Sequence, residues 1–157
     1  MDQTLDESNH STQGAPDISI ERRKIFSPLQ IRTASFIGGP LAGIYFLKEN
    51  FENLNRQEAA KKTLVFGLVF SVLLILILPF LSPRFPRMVL PLAYSFLAGH
   101  IAESQQLSKQ AILDSADYEF GSGWKVVGVS VVSLLVFFVV AMAIILTLNF
   151  FGIVQFA

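Results

Sequence analysis

A small group of polar side chains is of the types that bind cations or take part in catalysis. His100 and Glu103 are one helical turn apart at the end of an apolar segment, and the next loop carries Asp114, Asp117 and Glu119. Imidazole and carboxylate groups at such spacing suit a hard cation or another metal ion. Two ligand types at one helix end are also typical of a solvated helix terminus, and we favour that interpretation.

The sequence lacks the motifs of known catalytic classes. It contains no glycine-rich phosphate loop, no nucleophile elbow and no paired-histidine metal motif. With no cysteine among 157 residues, thiol nucleophiles and thiolate metal sites are excluded. We therefore predict no catalytic, cofactor-binding or metal-binding residues, and we expect a protein that is not an enzyme. A membrane enzyme using His100 and Glu103 is the least favoured hypothesis.

Three further residues are predicted to anchor the chain at a membrane interface. Arg32 lies near the start of the first predicted helix; a cation inside a membrane indicates function by default, but its long side chain can also reach the interface, which we favour here. Trp124 and Lys125 precede the last apolar run, where an aromatic ring and a cation commonly mark the membrane boundary.

The composition indicates a membrane protein. Hydrophobic residues make up 52% of the chain and charged residues 15%, against about a quarter charged in ordinary soluble domains. The runs from Thr63 to Leu81 and from Val126 to Val154 contain no charged residue, and about 20 helical residues suffice to cross the hydrocarbon core. A formal net charge of zero with dispersed basic residues argues against a nucleic-acid partner.

These features predict an all-α integral membrane helical bundle over residues 27–157. Its four hydrophobic segments are expected at about 28–50, 63–81, 87–102 and 125–151. Residues 1–26 are predicted to form a disordered polar tail that ends in a basic cluster at Arg22, Arg23 and Lys24.

The first segment carries a helix-start signal and a helix-breaking signal. Ser27 and Gln30 form a capping box around Pro28, which predicts a helix beginning at Pro28. Pro40 removes one backbone hydrogen bond, so a kink or a break is expected near Gly38 to Pro40. We favour a kinked packing helix; the alternative is a re-entrant element whose freed backbone groups line a cavity.

Small residues repeat at a spacing of four along this segment, and such stripes let membrane helices approach closely. We predict them as helix-packing or hinge residues: Ala34, Ser35, Gly38, Gly39, Pro40, Ala42 and Gly43.

The topology depends on this segment. With four full spans, Lys and Arg divide six against six between the two sides, and the positive-inside rule decides nothing. With a re-entrant first segment they divide ten against two, which favours a cytoplasmic tail, first loop and third loop.

The opening of the membrane region resembles a group of small, uncharacterised bacterial inner-membrane proteins. The resemblance rests on Phe26-Ser27-Pro28-Leu29-Gln30 and on Gly38-Gly39-Pro40-Leu41-Ala42-Gly43, an F-S-P-x-Q motif followed by a G-G-P-L-A-G helix. It implies a multi-pass protein of the bacterial inner membrane and supplies no mechanism.

Three functions are therefore weighed. The leading one is a non-enzymatic interaction protein, either an accessory subunit of a membrane complex or an immunity-type protein against a membrane-active toxin. It would have the lipid bilayer and a membrane protein or a second copy as partners. The alternatives are an oligomeric small transporter or channel component, in which Gly38 to Pro40 lines water, and the membrane enzyme described above.

Overall fold

The computed structural model describes residues 22–82 and 84–153. Within them the chain forms five α-helices and two short strands. Their bounds are β1 Arg23–Ile25, α1 Pro28–Asn53, α2 Gln57–Ile77, α3 Val89–Gln105, α4 Lys109–Leu113, β2 Tyr118–Phe120 and α5 Gly123–Phe150, and a 3₁₀ turn at Leu78–Phe80 follows α2.

The predicted helical architecture is confirmed in its main lines, with two differences. β1 and β2 pair in parallel, Lys24 opposite Glu119, and the sequence analysis did not anticipate a sheet. The predicted disordered tail lies outside the described residues up to residue 21, but residues 23–25 form a strand. Regular structure is therefore present within the last residues of the predicted tail.

α1 begins as the capping signal predicts. The Ser27 hydroxyl accepts a hydrogen bond from the Gln30 amide at 3.3 Å, and the Gln30 side-chain oxygen accepts one from the Ser27 amide at 2.9 Å. Pro28 occupies the first helical position, where a missing N–H costs nothing because the helix offers it no partner.

α1 is not one straight helix but a helical hairpin. Gly39 has φ 74° and ψ −173°, which separates an outgoing arm (28–38) from a returning arm (40–53). The Phe26 amide donates to the Asn50 side chain at 2.8 Å, and the Asn50 side chain donates to the Phe26 carbonyl at 2.7 Å. A continuous helix would hold residues 26 and 50 about 36 Å apart, so the chain must reverse at Gly39.

The reversal brings most chain connections to one end of the bundle, which we call the base. There the returning arm meets β1, since the Asn53 side chain donates to the Lys24 carbonyl at 2.7 Å. The loop before α2 meets the end of α3, because Arg56 donates to the Gln105 carbonyl at 2.7 Å. α2 leads away from the base, α3 returns to it and α5 leads away again.

The hairpin is the centre of the fold. α1 packs against α2, α3 and α5, and half of its residues are buried, including Ile31, Ala34, Phe46 and Phe51. By contrast, in the most apolar windows of α2 and α5 only 11% of the residues are buried. The least apolar of the long helices thus forms the core, while the most apolar ones face outward.

Two helices of the described chain are long and apolar enough to cross a membrane, namely Gln57–Phe80 and Gly123–Phe150. α3 has 17 residues, and each arm of α1 is shorter. Of the four predicted hydrophobic segments, only α2 and α5 are thus long and apolar enough to cross a membrane, and the first segment, predicted as kinked or re-entrant, reverses at Gly39.

Candidate functional site

The small residues of α1 make the hairpin possible. Ser35 and Gly43 face each other across the two arms, and a Cβ added at Gly43 would collide with the Ser35 hydroxyl and lie 3.4 Å from the Cβ of Ala98 on α3. The predicted set of Ala34, Ser35, Gly38, Gly39, Pro40, Ala42 and Gly43 is buried throughout.

A second contact of the small residues is with α5. A Cβ at Gly38 would lie 2.6 Å from the Ser130 carbonyl oxygen, and the Ser130 hydroxyl lies 3.4 Å from the Ala34 carbonyl oxygen. The outgoing arm and α5 therefore approach backbone to backbone, which only small side chains allow.

The reversal itself is covered on one side and opens to a groove on the other. Gly39 lies against the Phe137 ring of α5, with its hypothetical Cβ 3.8 Å from that ring. Pro40 is buried and lines a groove between α1, α2 and α3. Within the predicted helix break at Gly38 to Pro40, Gly38 and Gly39 are thus packed against α5.

A buried amide network closes the base of the hairpin. Besides its two bonds with Phe26, the Asn50 side chain donates to the Gln106 side chain at 2.8 Å, and Gln106 donates to the Leu47 carbonyl at 2.9 Å. Asn50 is 1% exposed, so these bonds satisfy a polar group that would otherwise be costly to bury.

The roles of Asn50 and Gln106 were not predicted from the sequence, where the one signal was an amide residue near the end of a mostly apolar helix. Its partners, residues 26 and 106, are distant in sequence, and only the reversal at Gly39 brings them within reach.

An ion pair at the base joins the hairpin to α5. The Lys125 ammonium lies 2.5 Å from a Glu49 carboxylate oxygen, and it sits 5.6 Å from the Phe26 ring centre and 5.8 Å from that of Tyr45. The neighbouring Trp124 is 86% exposed, at the start of a helix that is apolar enough to cross a membrane.

Arg32 lies on the opposite flank of the hairpin, against α3. Its guanidinium carbon is 4.8 Å from the centre of the Phe96 ring, and a Cβ added at Gly99 would come within 2.6 Å of its Nε. Nε is buried and has no hydrogen-bond partner. The Arg32 side chain therefore packs against Gly99 and the face of the Phe96 ring.

The position of Arg32 is well above the base. Gly99 precedes the base residue Gln106 by seven positions, about 10 Å along a helix, and Phe96 is farther still. The guanidinium therefore extends along α3 away from the base. This geometry differs from a side chain that reaches back to an interface at the base.

The groove that Pro40 lines is an open, mostly apolar cavity. Its volume is about 470 Å³. α2 and α3 scarcely touch each other along their described lengths, and the returning arm of α1 forms the floor between them. Most of the lining is apolar, with Ile44, Phe66 and Leu97 among it, and Lys62 and Gln105 lie at its base end.

The residues considered for metal or acid–base chemistry are exposed. His100 and Glu103 are both exposed on α3, and Asp114 accepts a hydrogen bond from Gln110. Glu119 lies 4.0 Å from Lys24. Residues 22–82 and 84–153 contain no group of three His, Asp or Glu side chains placed to hold a metal ion.

Comparison of the chain with models of known protein families, with curated proteins and with solved structures finds no match.

Proposed function

We propose that this chain is a multi-pass protein of the bacterial inner membrane that acts by binding another membrane protein within the bilayer. It serves as an accessory subunit of a membrane complex or as an immunity-type protein against a membrane-active toxin. The observation that carries the proposal is the isolated guanidinium of Arg32.

The environment of Arg32 calls for an acceptor from outside the chain. A guanidinium has five N–H donors, and the buried Nε of Arg32 has no hydrogen-bond partner among the described residues. Cations inside membranes pair with carboxylates or carbonyls, because an unpaired one is costly there. The cation–π contact with Phe96 orients the group but leaves its N–H donors free.

The chemistry of the chain favours a different protein over a second copy. The uncharged runs from Thr63 to Leu81 and from Val126 to Val154 contain no carboxylate. A copy of this chain therefore offers no acid within these two uncharged runs. The partner fitted to this site carries an aspartate or a glutamate within one of its membrane helices.

The proposed orientation follows from the hairpin. Because α1 returns to the base, β1, the loop before α2 and the loop before α5 share one side, and this grouping corresponds to the ten-against-two division of Lys and Arg. The positive-inside rule then favours a base and an N-terminal tail in the cytoplasm.

The experiment is co-purification of the full chain from native membranes in mild detergent, with a photoreactive residue in place of Phe36. That side chain is on the outgoing arm one turn beyond Arg32 and is 44% exposed. The partner captured should carry an intramembrane acid, and its replacement by the amide should abolish the complex, as should Arg32→Gln.

Arg84→Gln serves as the matched control, because Arg84 is exposed on the loop at the end opposite the base. It should leave the complex intact. A chain that purifies alone under all native expression conditions, with Arg32→Gln indistinguishable from wild type, would overturn the proposal.

The alternative function is an oligomeric small transporter or channel component, and the observation that favours it is the groove lined by Pro40. Ser35 also lines this groove, and Ser35→Cys is nearly isosteric in a chain with no other cysteine. Rapid reaction of that thiol with a charged, membrane-impermeant reagent would support a water-filled pathway. Protection of the thiol would remove this alternative.

A further inference from the structure

We propose that the groove between α2 and α3 is a binding site for one anionic phospholipid, with an acyl chain in the groove and the phosphate at Lys62. This goes beyond a protein partner at Arg32, although it rests on the same membrane location. The two sites lie on opposite sides of α3: Phe96 and Gly99 contact Arg32, whereas Leu97, Ala98 and Ile101 line the groove.

The dimensions of the groove fit an acyl chain. Its lining on α2 extends from Ala59 to Phe70, about 16 Å at 1.5 Å per residue. That length corresponds to one leaflet, since the hydrocarbon core of a bilayer is about 30 Å thick. The lining over most of this length is apolar, including Ile44, Phe66 and Phe70.

An acyl chain needs no rearrangement of the helices. The groove lies between α2 and α3, with the returning arm of α1 as its floor, and a flexible hydrocarbon chain can enter it directly from the surrounding lipid.

The charged residues at the base end of the groove, which we call its mouth, favour an anionic headgroup. Lys62 and Gln105 line the base end of the groove, and no carboxylate lines any part of it. Arg56 is held beside this mouth by its hydrogen bond to the Gln105 carbonyl. A phosphate at the level of Lys62 thus meets two cations and an amide donor.

Native mass spectrometry of the purified full chain tests the headgroup. The protein is incubated with equal amounts of phosphatidylglycerol and phosphatidylcholine. We expect preferential retention of phosphatidylglycerol, and Lys62→Gln should reduce it about fivefold, the factor that corresponds to one cation at a lipid surface.

Lys61→Gln is the matched control. Lys61 precedes Lys62 in sequence, but its ammonium lies 3.9 Å from Glu58 and its side chain is 74% exposed. This variant should retain phosphatidylglycerol as wild type does. Equal retention of the two lipids, or equal losses in the two lysine variants, would show that only general surface charge is involved and would overturn the proposal.

A second pair of variants tests the acyl chain. Thr63 lines the groove, whereas Leu64 is exposed outside it. Thr63→Trp should therefore fill the groove and lower the retention of both lipids, and Leu64→Trp should not. Unchanged retention in a folded Thr63→Trp protein would contradict the site, while the Lys62 result decides the matter if that variant misfolds.

A photoreactive residue at Leu97 identifies the occupant in native membranes. Leu97 lines the groove and is 50% exposed. Crosslinks to phospholipid are expected. Crosslinks to a protein alone would show that a partner helix occupies the groove, and they would overturn the lipid assignment without affecting the separate test at Arg32.

Discussion

Phe26 and Asn50 lie just before the start of α1 and near its end, and yet they exchange two hydrogen bonds, at 2.8 and 2.7 Å. The Phe26 ring also packs against the returning arm, since its centre lies 4.6 Å from that of the Phe46 ring. This pair converts a 26-residue helix into a closed hairpin. The path of the remaining helices around a common base follows from it.

Replacement of Asn50 by leucine should therefore destabilise the whole fold. The variant keeps the approximate side-chain volume but leaves the buried N–H and C=O of Phe26 without partners. We expect a loss of about 2–3 kcal/mol in the free energy of unfolding, measured by denaturant titration in mixed micelles.

Asn53→Leu is the control for this prediction. Asn53 is on the same arm and also donates to a backbone carbonyl, that of Lys24, but at an exposed site. Water replaces the lost bond there, so the loss should stay below about 1 kcal/mol. Equal losses in the two variants would contradict the central role of Asn50.

Gly38→Ala should weaken the contact between the hairpin and α5. The added Cβ would lie 2.6 Å from the carbonyl oxygen and 2.7 Å from the Cα of Ser130, and backbone atoms cannot turn aside as a flexible side chain would. We expect a cost of about 1–3 kcal/mol in the same unfolding assay.

Gly128→Ala, on the exposed face of α5, provides the comparison. A Cβ at Gly128 meets no heavy atom within 4 Å, and alanine is about 0.5–1 kcal/mol more favourable than glycine within a helix. The substitution should be neutral or stabilising. A loss as large as that of Gly38→Ala would mean that glycine is needed in α5 for another reason.

Gly39 should resist substitution for a conformational reason. Its φ of 74° and ψ of −173° fall in a region that is essentially restricted to glycine, at a cost of about 1–3 kcal/mol for other residues. Space is not the obstacle, because a Cβ would lie 3.8 Å from Phe137. Gly39→Ala should therefore lower the free energy of unfolding by this amount.

Gly39→Asn distinguishes this explanation from an ordinary left-handed turn. Asparagine tolerates the left-handed helical region, but a ψ of −173° lies outside it. The asparagine variant should thus be no more stable than the alanine variant. Rescue by asparagine would show that the backbone at the reversal differs from the one described.

The ion pair between Lys125 and Glu49 should contribute to docking of α5. The Glu49 side chain is 19% exposed, and its second carboxylate oxygen is buried without a partner. Lys125→Met leaves this carboxylate uncompensated and should cost about 1–3 kcal/mol. Adding Glu49→Gln should recover part of that cost in a double-mutant cycle.

The pair Lys61 and Glu58 is the control for the cycle. These groups are 3.9 Å apart and both highly exposed, and exposed pairs of this kind contribute little. Their coupling free energy should be close to zero. A coupling between Lys125 and Glu49 as small as this one would assign the docking of α5 to Ser130 and its neighbours alone.

Local signals in the sequence were sufficient for the helices but not for their arrangement. The capping box at Ser27 and Gln30 depends on residues three apart, and the apolar runs of α2 and α5 depend on composition, so both were readable. The bond between Phe26 and Asn50 depends on the backbone angles of Gly39, which sequence pattern does not specify: Gly38-Gly39-Pro40 is compatible with a kink and with a reversal.

The same limit applies to the candidate sites. Arg32 was recognisable as a cation in an apolar helix, but its contact with Phe96 depends on which helix lies beside the outgoing arm. The distinction between Lys61 and Lys62 depends on the rotation of α2 relative to the hairpin. Neither relationship is encoded in spacing along the chain.

Cysteine labelling in intact cells tests the hairpin and the orientation together, in a chain that has no cysteine of its own. Because the hairpin returns to the base, Asn55→Cys and Ser108→Cys should be labelled from the same side, and Ser82→Cys from the opposite side. The excess of basic residues at the base places Asn55 and Ser108 in the cytoplasm. Labelling of position 82 only from the cytoplasm would reverse the orientation but keep the fold. Labelling of positions 55 and 108 from opposite sides would contradict the arrangement of α2 and α3. These two helices connect the two positions, and if both cross the membrane, the positions must lie on the same side.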